Sequence, residues 1–498
     1  MNALWLNGKG RWDQGLLAHA LRGDLWNTPA FREYVDEFPP IDNPVVAILA
    51  HKQSDDVVER LKQYPFVLSI HTSDEAHEWD ASGLSPLWMG YANAEHNGDR
   101  NILIGWPEDT MKLMPPRKPW LDREFDWAFT GQVNHKSRQE MADILADMSD
   151  GSFYRAQGFN RGTPREEHLR ILTEARVAPC PAGTVHPDSF RLYEALEAGC
   201  LPIVEGDWFF DQFHVPFPVV QNWRSLPTLV DSATADDANV AVSWWQQYKR
   251  EFALNLMVDC GVKPKSPLTV MIPTSPIPSH PSTELIEETI ESIRSRLPDS
   301  EIIVMVDGLH PSLERWHDNY AEYARRLLEL SKTIKYMVPI VFTKHHHQAA
   351  MMQKTLELVR NSYVLFVEHD TPLLGDIPFD GLIKRLEEPD VNLIRLFHYN
   401  TIPVENAFMF GARDGELIKT YQFSARPHLA KTDFYRKIMR DYFMPGEVGF
   451  IEERMEPICR HGGWGAWRGM WIYAPAGTML RSTHSDGRRG EAKVPTER

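Results

Sequence analysis

The stretch NSYVLFVEHDTPL sets two carboxylates, Glu368 and Asp370, around one imidazole, His369, directly after an apolar run. Buried strands ordinarily end in turn residues, so charge at this point asks for a chemical purpose. Two hard oxygen donors two residues apart suit Mg²⁺ or Mn²⁺ carrying a diphosphate. If the strand ran on through them, Glu368 and Asp370 would share one face, with His369 opposite. A second apolar run, EIIVMVDG, ends in Asp307, placed to accept from a ribose hydroxyl or a base edge. Ligands of open α/β sheets bind outside the carboxyl ends of the strands, where all three carboxylates fall. For Asp307 alone, an ordinary solvated strand end explains the residue equally well.

The first half carries its own grouping in HPDSFRLYEALEAGCLPIVEG, His186 to Gly206. The run SFRLYEALEAG predicts a helix closed by Gly199 as a C′ glycine, followed by the buried strand CLPIV. Such a helix, aimed at a sheet edge, suits an anion such as a diphosphate at its N-terminus. Arg191 and Glu194 are three apart and lie near one helix face, where a surface salt bridge is the plain alternative. The triple His345-His346-His347 has metal-binding residue types, but consecutive residues cannot all face one point.

The elements that must position these residues follow an α/β rhythm, short β-rich runs alternating with helical segments. Strands are predicted at VVAILA, FVLSIH and NILIGW. The proline-rich MKLMPPRKPW then reads as a linker. A second unit opens at FDWAFTGQ, continues through a helix at SRQEMADILADM and reaches the strand LPIVEG. The helical WWQQYKREFALNLMV and the linker GVKPKSP close it, and a third α/β pattern starts at LTVMIPTSP. In that part the helix STELIEETIESIRSRL has Ser282 or Thr283 as its expected N-cap. The expected domains are therefore 1–115, 116–262 and 263–498, the last ending in a mobile polar tail.

Bulk properties narrow the class. At 498 residues the chain exceeds one ordinary core. A formal net charge of −16 opposes a protein that grips nucleic acid by its phosphates. Cys180, Cys200, Cys260 and Cys459 are scattered, as expected of buried free thiols in a reducing compartment. No signal-type h-region and no membrane-length apolar run is visible, so the expected location is cytoplasmic.

From Leu268 to about Arg488 the chain resembles GT-A glycosyltransferases, especially those of family 2. The residues that carry this are VMIPTSP, the aspartate after VMV, and FVEHDTPL, which looks like a D-x-D motif with Glu368 in first place. The resemblance implies a metal, Mn²⁺ or Mg²⁺, held mainly by Asp370. Glu368 would be a second ligand or a ribose contact, and Asp307 the nucleoside contact. It also implies an acceptor-activating base in GFIEERM, Glu453 rather than Glu452, and a late metal ligand in RSTHSDGRR, His484. Arg481, Arg488 and Arg489 would neutralise the leaving diphosphate. One of the three consecutive histidines would touch the donor. Trp464, Trp467 and Trp471 would stack on sugars or sit in the core, and Arg426 and His428, before a helix capped by Thr432 or Asp433, would touch the acceptor.

The His186–Gly206 stretch resembles exostosin-type GT-B glycosyltransferases, with the pattern S-x-R-x-x-E-A-L-x-x-G-C-x-P-V nearly complete and Ile203 in its last position. FTGQVNHKSRQEM looks like the glycine loop and arginine, Gly131 and Arg138, that open the same half. This implies ribose binding by Glu194 and phosphate binding by Arg191 and Arg138. The expected fold is thus α/β throughout: a GT-B type double Rossmann-like unit followed by a GT-A domain. The order is that of exostosin copolymerases; without an anchor or secretory cysteines, a bacterial or phage-type cytosolic enzyme is expected. The expected function is sugar transfer from a nucleotide-diphospho-sugar, a UDP-sugar above others, to a glycan or other hydroxyl acceptor. A carbohydrate-binding scaffold without chemistry and a phage-type transferase acting on modified DNA bases are the alternatives.

Overall fold

The computed structural model describes residues 1–6, 14–25, 30–50, 53–72, 84–92, 98–158, 161–183, 186–206, 208–262, 266–399, 401–402, 404–467 and 469–485. The chain divides into two compact units, Met1–Lys263 and Pro264–Arg498. The fold is α/β, as the alternation in the sequence predicts.

The first unit holds two parallel, Rossmann-like sheets. One runs Arg32–Val35, Asn2–Leu6, Val45–Leu49, Val67–His71, Leu87–Gly90, Arg100–Ile102 in spatial order. Every neighbouring pair in it is parallel. The other runs Val219–Val220, Leu201–Glu205, Ala175–Cys180, Phe125–Gln132, Gly151–Ala156, again all parallel. Strands of this kind are covered on both faces, which is why NALWL, VVAIL and VLSIH are buried along their whole length.

Several expectations shift by a few residues. NILIGW enters the ladder only over Arg100–Ile102, and MKLMPPRKPW begins with the helical turn Thr110–Leu113 before its prolines stop it. The N-terminal NALWL, which the sequence reading passed over, is a strand next to the sheet's edge strand. WWQQYKREFALNLMV lies inside a 25-residue helix, Ala235–Asp259, begun by a capping box between Thr234 and Asp237. That helix returns to the front sheet: Trp88 Nε1 donates to Asp259 at 2.8 Å and the Leu103 N–H donates to the Tyr248 hydroxyl at 2.7 Å. One apolar cluster consequently runs through both halves of the unit.

A buried ionic knot ties this return. Glu197 is fully buried and accepts from Lys249 Nζ at 2.5 Å and from Trp245 Nε1 at 2.8 Å, with Arg117 at 3.4 Å. It joins the helix Phe190–Ala198 to Ala235–Asp259 and to the segment leading into Phe125–Gln132.

The second unit is built on one nine-stranded mixed sheet: Met337–Val341, Glu301–Val306, Leu268–Thr274, Tyr363–Phe366, His428–Lys431, Leu393–Leu396, Met470–Tyr473, Leu417–Thr420, Phe410–Asp414. The first four are parallel; His428–Lys431 then runs antiparallel to both its neighbours. The helix Glu284–Arg294 has Thr283 at its N-cap position, without a side-chain cap bond; Ser282, one residue earlier, accepts from the Glu284 N–H at 3.3 Å. For the helix Thr432–Tyr442 the N-cap position is Lys431, neither Thr432 nor Asp433; the Thr432 hydroxyl instead donates to Asn361 O. All four cysteines are free and buried. No helix among the described residues is long and apolar enough to cross a membrane.

Removing one partner of a buried ion pair strands the others, at a cost of about 3–5 kcal/mol. Glu197→Gln is therefore expected to lower the urea midpoint of the first unit's unfolding transition and to leave that of the second in place. Unfolding at the wild-type urea concentration would mean that the knot contributes no stability.

Candidate functional site

In the second unit the strand Tyr363–Phe366 ends before the acidic group, not through it. Val367 still donates to Met271 O at 3.1 Å, and the chain then turns, Thr371 N–H donating to Glu368 O at 3.1 Å. The alternation expected of a continuing strand therefore does not apply. The turn itself brings Glu368 and Asp370 to one side, while His369 is buried and its carbonyl accepts from Thr289 Oγ1 at 2.8 Å. The late segment Arg481–Ser485 runs alongside: Leu374 N–H donates to Arg481 O, Thr483 N–H to Pro372 O and Ser485 N–H to Asp370 O. This strap delivers His484, whose Nε2 lies 3.3 Å from Asp370 Oδ2. One ligand atom each from Glu368, Asp370 and His484 fall within 4.8 Å of one another.

The electrostatics of the group match that geometry. Burial, then the neighbouring charge of Asp370, push the Glu368 carboxyl up to about 7, with Arg426 acting the other way. Two carboxylates and an imidazole, short of positive charge, form a donor set that a divalent cation of the Mn²⁺ or Mg²⁺ type fits.

Two adjoining cavities meet here. One, about 420 Å³, is lined by Thr274, Asp307, His347, Glu368, Asp370 and Phe450, among others. The second, about 680 Å³, shares Glu368, Phe450 and His484 and is walled by Arg395, Arg426, Glu452 and Glu453. Asp307 lines the first cavity, yet its carboxylate is already engaged. It accepts from the Gly308 and His346 N–H groups at 2.8 and 2.7 Å and from the His347 N–H at 3.0 Å, with His345 Nδ1 at 2.9 Å. It thus fixes the loop that starts the helix His347–Leu356, and of the three histidines only His347 lines the cavity. Burial, then His345, lower the His347 pKa.

At the head of the helix Ile451–Ala466, Glu452 is held by the Ala425 N–H at 2.8 Å, whereas Glu453 is exposed at the cavity wall. Arg481 is not brought to either cavity. Its guanidinium donates to Thr478 O and Leu480 O and lies over the Tyr473 ring, so it stiffens the strap. Arg488 and Arg489 lie outside the described residues. His428 is buried between the Phe366 and Tyr435 rings, and Trp467 and Trp471 are buried too; Trp464 is exposed.

In the first unit a cleft of about 1060 Å³ is lined by Gly131, Arg138, Arg191 and Glu194 together, with Thr130, Arg165 and His168 beside them. At Gly131 the Arg191 guanidinium packs directly over the Cα, so a Cβ there would have to displace it. Arg191 and Glu194 do not form the helix-face salt bridge that was the plain alternative to ligand binding. Arg191 donates to Thr130 O at 2.6 Å, and Glu194 pairs with Arg165 and with His168 Nε2 at 2.8 Å. Burial favours the protonated acid, but His168 and Arg165 outweigh it and hold Glu194 at about 2. Arg138 donates to Ala182 O and Gln132 O, and burial, then Arg191, lower its pKa to about 10. Arg165 and His168 were missed because they sit on a helix, Arg165–Thr173, with no pattern linking it to HPDSFRLYEALEAG.

No family model matches the chain, and no curated protein matches it. Among solved structures it is similar to a mannosyltransferase from Pyrobaculum calidifontis in complex with GDP-Man and Mn²⁺: 15% identity, 48% of this chain, 68% of that one, TM-score 0.28. It is also similar to S. aureus TarS 1–349, at 15% identity, 44% of this chain, 60% of that one and TM-score 0.28. A longer TarS structure gives 14%, 44%, 36% and 0.29. Likeness at this level leaves the chemistry to be read from the sites.

Because the folded state keeps the Glu368 proton to higher pH than the unfolded chain does, this residue makes the protein less stable as pH rises from about 4.5 to about 7. Glu368→Gln is expected to flatten the thermal midpoint across that window relative to wild type and to raise it at pH 8. Parallel midpoint–pH curves for the two proteins would show that Glu368 titrates normally.

Proposed function

We propose that this protein is a glycosyltransferase that uses nucleotide-diphospho-sugars, with its metal-dependent site in the second unit. The observation that carries the reading is the convergence of Glu368, Asp370 and His484 at the carboxyl ends of parallel strands, on the border of two cavities. A divalent cation bound by these three residues would neutralise the diphosphate of the donor as it leaves. The smaller cavity, closed by Asp307 and His347, is the donor side; the larger, walled by Glu452 and Glu453, is the acceptor side. Asp307 acts there chiefly by holding the loop His345–His347, since backbone amides occupy its oxygens. Glu453, exposed on the acceptor side, takes the proton of the accepting hydroxyl, while Glu452 is anchored to Ala425 and sets the position of the helix start.

The first unit's cleft is the second half of the proposal, a sugar-nucleotide site of GT-B type that needs no metal. Gly131, Arg138, Arg191 and Glu194 line it together, which supports the reading. The arginines carry the phosphate side. Glu194, tied to Arg165 and His168, meets a ribose hydroxyl only by sharing one of those oxygens.

Midpoint shifts with UDP- and GDP-sugars test both sites, since a ligand of the folded state raises its stability by mass action. A Mn²⁺-dependent rise, lost in Asp370→Ala and weakened in His484→Ala, is the expected result for the second unit. A metal-independent rise lost in Glu194→Gln is expected for the first. Binding of no sugar nucleotide by the wild-type protein would refute the transferase reading. With donor and acceptor in hand, Glu453→Gln is expected to lower kcat about 10²- to 10⁴-fold with donor binding unchanged. An equal or larger loss in Glu452→Gln with full activity in Glu453→Gln would exchange the two roles.

A further inference from the structure

The acceptor-side cavity has a basic wall that the proposed chemistry does not use. Arg395, on the strand Leu393–Leu396, is 3% exposed and lines this cavity. Its Nη2 donates to the neutral amide of Gln422 at 2.9 Å, and its Nε is buried with no hydrogen-bond partner. Among the described residues no carboxylate stands within ion-pair distance of it. Arg426 lines the same cavity, and none of its guanidinium nitrogens has a hydrogen-bond or ion-pair partner among the described residues. His398, also in the lining, has a buried Nδ1 without a partner. Burial, then the charges of Arg426 and Arg395, push its pKa down to about 4, so it feels both guanidinium groups.

A buried guanidinium with no counter-charge is costly, and proteins retain such a group where something else neutralises it. The carboxylates nearby do not pair with it: the charge of Glu452 acts on Arg395, and that of Arg426 on Glu368, but neither carboxylate is within ion-pair distance, Glu452 accepts from the Ala425 N–H, and Glu453 and Glu456 lie on the helix Ile451–Ala466. The cavity lining thus holds two arginines, Arg395 on the sheet and Arg426 on the loop before His428–Lys431, and the acidic residues of the helix Ile451–Ala466.

We infer that Arg395 and Arg426 form an anion subsite, so that the acceptor carries a carboxylate or phosphate group beside the hydroxyl it presents to the acidic helix face. Forked N–H donors on a planar cation match either anion geometrically. The inference rests on the reading of the second unit as a transferase, but the subsite has its own measurement. Thermal midpoints of the full chain are titrated with inorganic phosphate, with glucuronate and with glucose, on wild type, Arg426→Gln and Asp370→Ala. One or both anions are expected to raise the midpoint where glucose does not. The response should persist in Asp370→Ala, which excludes the donor-side cation site as its origin, and bind at least tenfold more weakly in Arg426→Gln. The stronger of the two anions tells phosphate from carboxylate. Arg426 is chosen because it is only partly buried; Arg395→Gln, if it folds, should lose the response as well. The inference is overturned if neither anion outperforms glucose, if the response persists at full affinity in Arg426→Gln, or if it vanishes in Asp370→Ala. The Mn²⁺-dependent sugar-nucleotide response, expected to remain in Arg426→Gln, judges the transferase reading separately.

Discussion

The second unit is organised around a shortage of positive charge. Glu368 and Asp370 are set close together in a partly dry turn, where burial and the neighbouring Asp370 charge raise the cost of ionising Glu368. Only the charge of Arg426 acts the other way, and the imidazole of His484 is carried in by the strap Arg481–Ser485. The turn has to be rigid for that arrangement to last. Thr289 and Ser292, on the helix Glu284–Arg294, hold it from one side, and the strap Arg481–Ser485 from the other. The parallel strands beneath fix where the turn can form. Each of these elements helps to keep the side chains of Glu368, Asp370 and His484 close to one another.

Elsewhere the protein handles buried charge in the opposite way, with partners supplied internally. Glu197 is closed off by Lys249, Trp245 and Arg117, and Asp307 by three backbone amides and His345. Glu194 lies between these cases: fully paired with Arg165 and His168, yet on the wall of a large cleft. The contrast separates groups paired inside the protein from groups that line a cavity without an ion-pair partner. Arg395 and Arg426 belong with the second kind: both line the larger cavity, and no carboxylate among the described residues lies within ion-pair distance of either.

Much of the fold was legible because buried parallel strands write themselves as short apolar runs. YVLFV, EIIVMV and FDWAFTGQ were placed within a residue or two, and Gly199 marked its helix end by taking the left-handed conformation that glycine accepts at no steric cost. What was not legible were features that depend on where a chain turns after a strand. The Glu-His-Asp group reads equally as strand or turn, and either would put both carboxylates on one side; only the tertiary structure shows that it is a turn, and that the strap carrying His484 runs beside it. Arg481 and the helix-face pair Arg191–Glu194 illustrate the same limit: a side chain's partner is chosen by distant segments, Thr478 and Leu480 for one, Thr130, Arg165 and His168 for the others.

The sequence by itself therefore determined the α/β class, the strands and the residue types able to bind a cation and a diphosphate, because period and composition are local. Tertiary structure alone decided which of those residues share a site. The meeting of Glu368, Asp370 and His484, the engagement of Asp307 by its own backbone, and the burial of Arg395 with an unpartnered Nε all arise between segments far apart in the chain. Their energies depend on distance and desolvation, and neither is written in the order of residues.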